Sequence, residues 1–245
     1  MSVKYILFDT ETTGADEEDK IIQIGAMVVD QSGSIEVYDS LCKTDIPIKI
    51  EAVEVNNITP DIIENKPKYI ELPFKHVLDQ LNTMDNFLIA HNINFDLDMI
   101  KKEGFVPNIN LIDTLRCSKH LVKGVNSHRL QHLRYALELY KKEKEEAKKN
   151  DITIKAHDAI GDVLIMKLLL SHLVKVSKEV YPNEDPILKL VELTKQPVLI
   201  ETFSFGKHKD KLISDICVSD RGYITWMKNN MDLDEDMLYT LDYYK

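Results

Sequence analysis

Residues 5–14 read Tyr-Ile-Leu-Phe-Asp-Thr-Glu-Thr-Thr-Gly. In a β-strand successive side chains point to opposite faces, so Tyr5, Leu7, Asp9 and Glu11 share one face while Ile6 and Phe8 share the other. The pattern predicts a strand buried on both sides. Two carboxylates held one residue apart on such a face repel each other. A folded core gains nothing from that pair unless a cation lies between them, and for oxygen ligands the ordinary cation is Mg²⁺ or Mn²⁺. Asp9 and Glu11 therefore read as half of a metal site. The competing reading ends the strand there, with the acids at the entrance of a solvated Thr12-Thr13-Gly14 turn. The rest of the chain has to decide between the two.

A chain of 245 residues that is 44% hydrophobic can bury a sizeable core, and it predicts one main domain with an appendage. The net charge of -10 argues at first sight against a nucleic-acid partner. Its distribution argues otherwise. Residues 1–100 carry 7 basic and 19 acidic side chains, whereas residues 101–180 carry 16 and 10, so the middle third is the candidate phosphate-facing surface. Cys42, Cys117 and Cys217 are too widely spaced for a zinc knuckle or a disulfide framework, which suits a reducing compartment. With no secretory leader pattern and no apolar stretch of about 18 residues, the expectation is a soluble, cytoplasmic protein with no membrane association.

Apolar runs at 21–29 and 34–41, joined through Gln31-Ser32-Gly33, predict an antiparallel meander after the first strand. Asn57-Ile58-Thr59-Pro60 marks a helix start, and helices are expected over 73–82 and 95–103, the latter ended by Gly104. Phe87–Ala90 and Leu111-Ile112 read as further strands. A long helix is expected over 127–149, burying Leu130, Leu133, Leu137 and Tyr140 and ending in a solvated, charged stretch at 141–149. Another helix, strongly apolar, is expected over 156–178. Pro182, Pro186 and Pro197 punctuate the next stretch of chain, which gives domains at 1–178 and 198–245 with a connector over 179–197.

Asp96 follows a predicted buried strand at the start of a helix, a place where open sheets present functional groups. It could equally cap that helix. Asp162 lies in the apolar helix, where a core-facing carboxylate needs a cation, although a solvent-facing turn would also accommodate it. His157 precedes Asp162 by five residues, about 140° around an ideal helix, so the two converge only if His157 sits in the preceding loop or first turn. Asp158 would then cap the helix, and a lone histidine there would ordinarily be a surface or capping residue.

Taken together, four segments resemble the DEDDh 3′-to-5′ exonucleases. They are Phe8-Asp9-Thr10-Glu11-Thr12-Thr13-Gly14, His91-Asn92 through Phe95-Asp96, Asp113-Thr114-Leu115, and His157-Asp158-Ala159-Ile160-Gly161-Asp162. The likeness spans residues 3–175 and implies an α/β, RNase H-like mixed sheet flanked by helices. It implies that Asp9, Glu11, Asp96 and Asp162 hold two divalent ions, Mg²⁺ or Mn²⁺, and that His157 is the general base. The tyrosine variant of the family would place Tyr where this chain has Asp158. By the same resemblance Thr10, Thr12, Ile58, His91 and Asn92 border the terminal nucleotide, with Ile58 equally explicable as core. Val163 stands where many relatives have Ala.

The segment from Phe203 to Lys211, with Tyr223, Trp226 and Met227, resembles the C-terminal extension of some of these exonucleases, exodeoxyribonuclease X among them. Lys207, Lys209 and Lys211 are expected on one side of a strand, as candidate nucleic-acid contacts. Phe203, Phe205, Tyr223, Trp226 and Met227 are expected to form a small core. The resemblance implies hydrolysis of nucleic acid from a free 3′ end, with single-stranded DNA favoured and 5′-mononucleotides released. The alternatives are a ribonuclease of the oligoribonuclease or RNase T kind, and an accessory subunit that binds a polymerase or repair complex.

Overall fold

A computed structural model describes residues 2–153 and 158–245 of the chain. Its first strand, β1 (Lys4–Thr12), runs antiparallel to β2 (Ile21–Asp30), which pairs antiparallel with β3 (Ile35–Leu41). The β2–β3 turn is closed by the Asp30 carboxylate, which accepts hydrogen bonds from the Ser32 and Ser34 backbone N–H groups at 2.9 and 3.0 Å. Helices α1 (Ile50–Asn56), α2 (Pro60–Ile63) and α3 (Pro73–Leu81) lead to β4 (Phe87–Ala90), then α4 (Ile93–Lys102) and β5 (Asn110–Asp113). Both late strands are parallel to β1, and the sheet order is β3-β2-β1-β4-β5. Five more helices complete this part of the chain: α5 (Thr114–Leu121), α6 (Leu130–Ala136), α7 (Tyr140–Lys149), α8 (Ala159–Val180) and α9 (Pro186–Lys195).

The alternation read in β1 separates two cores. Leu7 joins Ile89 and Ile112 against Val163, Leu164 and Leu168 of α8, while Ile6 and Phe8 join Leu88 against Phe74 and Leu78 of α3 and Leu97 and Ile100 of α4. A sheet covered by helices on both faces explains why β1 and β2 are apolar along their length. Helix α8 is buried on nearly every side, which is why its sequence shows no polar stripe.

Three expectations are corrected. The long helix over 127–149 is two helices, because Glu138 takes a left-handed conformation (φ 55°) and turns the chain between α6 and α7. Tyr140 consequently lies 42% exposed instead of buried. The bend brings the buried Glu143 back onto Arg134, whose Nε and Nη2 donate to its carboxylate at 2.5 and 2.6 Å. Residues 186–195, expected within a connector, form α9 and place Leu190 and Leu193 in the first core, and the compact unit ends at Thr194. Lys207, Lys209 and Lys211 do not lie on a strand. Residues 204–210 are turns, closed by a single bridge between Thr202 and Leu212.

The second unit, Lys195–Lys245, gathers α10 (Ile213–Ser219), α11 (Arg221–Asn230) and α12 (Glu235–Tyr243) around Phe203, Ile213, Ile216, Met227, Met237 and Leu241. No helix among the described residues is long and apolar enough to cross a membrane.

One contact in the first unit is unusually close. Gly25 of β2 is the register partner of Asp9, and a Cβ placed on it would lie 2.5 Å from the Ala159 carbonyl carbon and collide with the Ile160 backbone nitrogen. The first turn of α8 therefore rests directly on the β2 backbone. Because neither side can yield by a rotamer change, Gly25→Ala is expected to destabilise the protein by about 3 kcal/mol. Urea unfolding measures this, and a loss below about 0.5 kcal/mol, the range of an ordinary surface substitution, would contradict the contact.

Candidate active site

Strand β1 pairs with β4 only from Tyr5 to Leu7 and then runs on past it. In that overhang lie Asp9 and Glu11. The chain leaving β4 turns at Asn92, in the left-handed region at φ 73°, and enters α4. The first turn of α4 brings Asp96 to the overhang, where its Oδ1 accepts hydrogen bonds from the Thr10 backbone N–H (3.0 Å) and hydroxyl (2.7 Å). Asp96 is thus not the helix cap. It is 3% exposed, and it takes backbone N–H capacity that a longer β4 would have used.

Asp162 enters from the first turn of α8, the helix seated on Gly25. Gln131 of α6 donates from Nε2 to its Oδ1 at 2.6 Å, and Arg134 donates to Gln131 Oε1 at 3.1 Å. Arg134 is held in turn by Glu143, so a relay of three side chains orients this carboxylate. Asp158 occupies the N-cap position of α8 but does not cap it with its side chain, contrary to expectation. Its Oδ1 instead accepts from Gln23 Nε2 at 2.8 Å. His157 lies outside the described residues.

Each of the remaining predicted residues is held by contacts of its own. Thr12 is buried, donates to the Gly14 carbonyl at 2.6 Å, and its own carbonyl accepts from Asn56. Ile58 is 5% exposed and packs with Ile22 and Ile63. The Asn92 backbone N–H donates to Asp113 Oδ1 at 3.0 Å, and the same oxygen caps α5 through Leu115. His91 is wedged between the Thr114 hydroxyl and the His128 carbonyl, at 2.9 Å from each. The ring nitrogen facing a carbonyl must carry the proton, and burial lowers the His91 pKa, so this imidazole is a neutral brace. Sequence reasoning did not find Gln131, Arg134 or Gln23, because each is a common polar residue whose partner is remote in the chain.

Electrostatics tie the four acids together. Burial raises the Asp9 pKa well above the usual carboxylate range, and the charges of Asp96, Asp162 and Glu11 raise it further. Glu11 is pushed up to about 8, first by burial and then by Asp162, Asp96 and Asp158. Asp96 is pushed to about 7 by burial, against the lowering effect of its two Thr10 hydrogen bonds. Asp9, Glu11 and Asp162 remain partly exposed, so the group opens to solvent. Among the described residues no three His, Cys, Asp or Glu side chains are already arranged to hold an ion. The donor set nevertheless fits a hard divalent cation, since it is all carboxylate oxygen and its members disfavour one another's charge.

A carboxyl whose pKa is higher folded than unfolded binds more protons in the folded state, so stability is lost as pH rises through the window between the two values. For Glu11 that window runs from 4.5 to about 8. The melting temperature of the metal-free protein is expected to fall across it, and Mn²⁺ is expected to restore more at pH 8 than at pH 5, because ligation needs the ionised form. Calorimetry in EDTA and in Mn²⁺ tests this. An equal Mn²⁺ effect at both pH values would contradict the assignment.

Residues 6–170 match the family described as Exonuclease, and residues 203–232 match the Exodeoxyribonuclease X-like C-terminal family. Exodeoxyribonuclease 10 of Escherichia coli K12 is 26% identical over 239 residues, 97% of each chain. The epsilon subunit of DNA polymerase III from Treponema pallidum is 34% identical over 139 residues, covering 54% of this chain and 63% of that one. Exonuclease X in complex with 5′ overhanging duplex DNA superposes with a TM-score of 0.52 at 20% identity, over 78% of this chain and 99% of that one. A zinc-bound E. coli exonuclease I–ssDNA complex superposes with a TM-score of 0.53 at 21% identity, over 75% and 42%. These likenesses establish the RNase H-like fold, and the family match covers all of the sheet but the first two residues of β1, and every described carboxylate of the site. The chain belongs to the exonuclease family and is a 3′-to-5′ exonuclease.

Proposed function

We propose that the enzyme hydrolyses single-stranded DNA from its 3′ end and releases 5′-mononucleotides, with Asp9, Glu11, Asp96 and Asp162 as ligands of two Mg²⁺ or Mn²⁺ ions. The observation that carries this reading is the gathering of four carboxylates at the β1 overhang, where the charges of Asp96, Asp162 and Glu11 all raise the pKa of buried Asp9. When bound, the ions stabilise the attacking and leaving oxygens of an in-line phosphodiester displacement. Thr10 holds Asp96 in place through two hydrogen bonds, and Gln131 holds Asp162. His157 accepts the proton of the attacking water, a role suited to an imidazole near neutral pH.

Thr10, Thr12, Ile58, His91 and Asn92 border the terminal nucleotide. Ile58 and His91 do so chiefly by bracing, given their burial and hydrogen bonds. Likeness to an exodeoxyribonuclease over nearly the full length of both chains supports DNA over RNA. Likeness to a polymerase III epsilon subunit supports a second reading, in which the enzyme works bound to a polymerase; co-purification with one tests it. Three free, buried cysteines suit a reducing cytoplasm.

Asp9→Ala and Asp162→Ala are expected to eliminate Mg²⁺- or Mn²⁺-dependent nucleotide release. Asp162→Ala should also raise the metal-free melting temperature at pH 8, because it removes a carboxylate that raises the pKa of Asp9 and Glu11. Digestion at the wild-type rate by either variant would refute the site. His157→Ala is expected to lower turnover by about 10²–10⁴-fold with unchanged metal affinity. Side-by-side digestion of 3′-labelled single-stranded DNA, duplex DNA and RNA decides the substrate, and faster release from RNA would overturn the DNA reading.

A further inference from the structure

The aromatic residues expected to form a core in the second unit divide into two groups. Phe203 and Met227 are buried, but Trp226 is 51% exposed and Phe205 is 37% exposed. Trp226 is not loose. Its ring stacks on Tyr223 at 5.9 Å and 24°, one helical turn earlier on α11. Tyr223 is held edge-on by His208 (4.9 Å, 82°) and by Phe203 (6.2 Å, 77°). The turn at Gly206, φ 74°, presses against the same ring, since a Cβ there would lie 2.5 Å from the Tyr223 hydroxyl. A buried core thus supports a rigid aromatic stack that ends in solvent.

Cations accompany the stack. Lys207 Nζ lies 5.8 Å from the Tyr223 ring centre and 2.8 Å from Asp220, which also accepts from His208 Nε2 and caps α11 through the Tyr223 N–H. Lys209 and Lys211 come next on the same turn, and Arg221 opens α11. All three are exposed. Residues 203–231 carry 5 basic and 3 acidic side chains, of which Lys207 pairs with Asp220 and Lys228 with Asp242. An exposed, pre-ordered aromatic face beside lysines is the arrangement that stacks bases and tracks a phosphate backbone without reading sequence.

We propose that Trp226, stacked on Tyr223 and accompanied by Lys207, Lys209, Lys211 and Arg221, is a base-stacking site for single-stranded DNA in the C-terminal unit, additional to the carboxylate site. It rests on the reading of the enzyme as a DNA exonuclease. The site supplies strand affinity and takes no part in the chemistry.

Trp226 is the only tryptophan of the chain, so tryptophan emission excited at the red edge reports this site alone. The full-length protein in EDTA is titrated with a dye-labelled oligothymidylate while dye anisotropy and tryptophan emission are recorded together. Emission is expected to quench in step with anisotropy. Trp226→Ala is expected to weaken binding roughly ten-fold and Trp226→Phe to retain most of it. Both should leave the rate of release from a dinucleotide unchanged. Replacing Lys209 and Lys211 by Ala should reduce the slope of log affinity against log salt by about 1.4. Binding by anisotropy with unaltered emission, and undiminished in Trp226→Ala, overturns this site and leaves the exonuclease reading intact. Absence of binding together with absence of nucleotide release from DNA overturns both. An emission shift that tracks protein concentration without DNA identifies a second copy of the chain as the occupant and also overturns the proposal.

Discussion

The burial of Asp9, Glu11, Asp96 and Asp162 beside one another is the constraint around which this protein is organised. In the ionised form such a group costs several kcal/mol, since each unit of pKa shift is worth about 1.4 kcal/mol. Two apolar layers provide the opposing term. Fully buried residues such as Leu7, Ile89, Leu164, Phe8, Phe74 and Leu88 contribute ~1.5–3 kcal/mol each. The acids are therefore held where they disfavour one another by a core large enough to tolerate it.

Holding them is the task of neutral donors. Thr10 fixes Asp96, Gln131 fixes Asp162, and Gln23 fixes Asp158, and none of these donors adds a charge to the site. The positive charge of Arg134 is paired first with buried Glu143, and its one hydrogen bond toward the site goes to Gln131, although it also acts on Asp162 through space. A lysine in the place of Gln131 would neutralise part of the carboxylate field. As built, the field is left for cations from solution.

Much of this was legible in the sequence, because it depends on local period. The two-residue alternation of β1 placed Asp9 and Glu11 together and assigned Leu7 and Phe8 to opposite cores, as found. The acids at 96 and 162 were legible as partners of Asp9 and Glu11 through the family resemblance, but not from local period. That relation depends on β4 ending short of the β1 strand it flanks, and on the first turn of α8 meeting Gly25. The break at Glu138 was not legible because the residue is an ordinary helix former, and nothing in its local sequence marks a left-handed conformation. The turn at 204–210 was hidden because alternating lysines mimic strand periodicity, whereas the φ of Gly206 and its pressure on Tyr223 forbid a strand.

The seat of α8 on Gly25 bears on how the enzyme tolerates change. Most distances in a protein interior pass through side chains, and these give when a neighbour is altered. The separation between the β1 acids and Asp162 is instead set by one main chain lying on another, with no deformable group between them. Substitutions in the surrounding core can therefore lower the stability of the protein while leaving the dimensions of the carboxylate cluster unchanged. At Gly25 a single methyl group would alter those dimensions, although the residue carries no chemistry of its own.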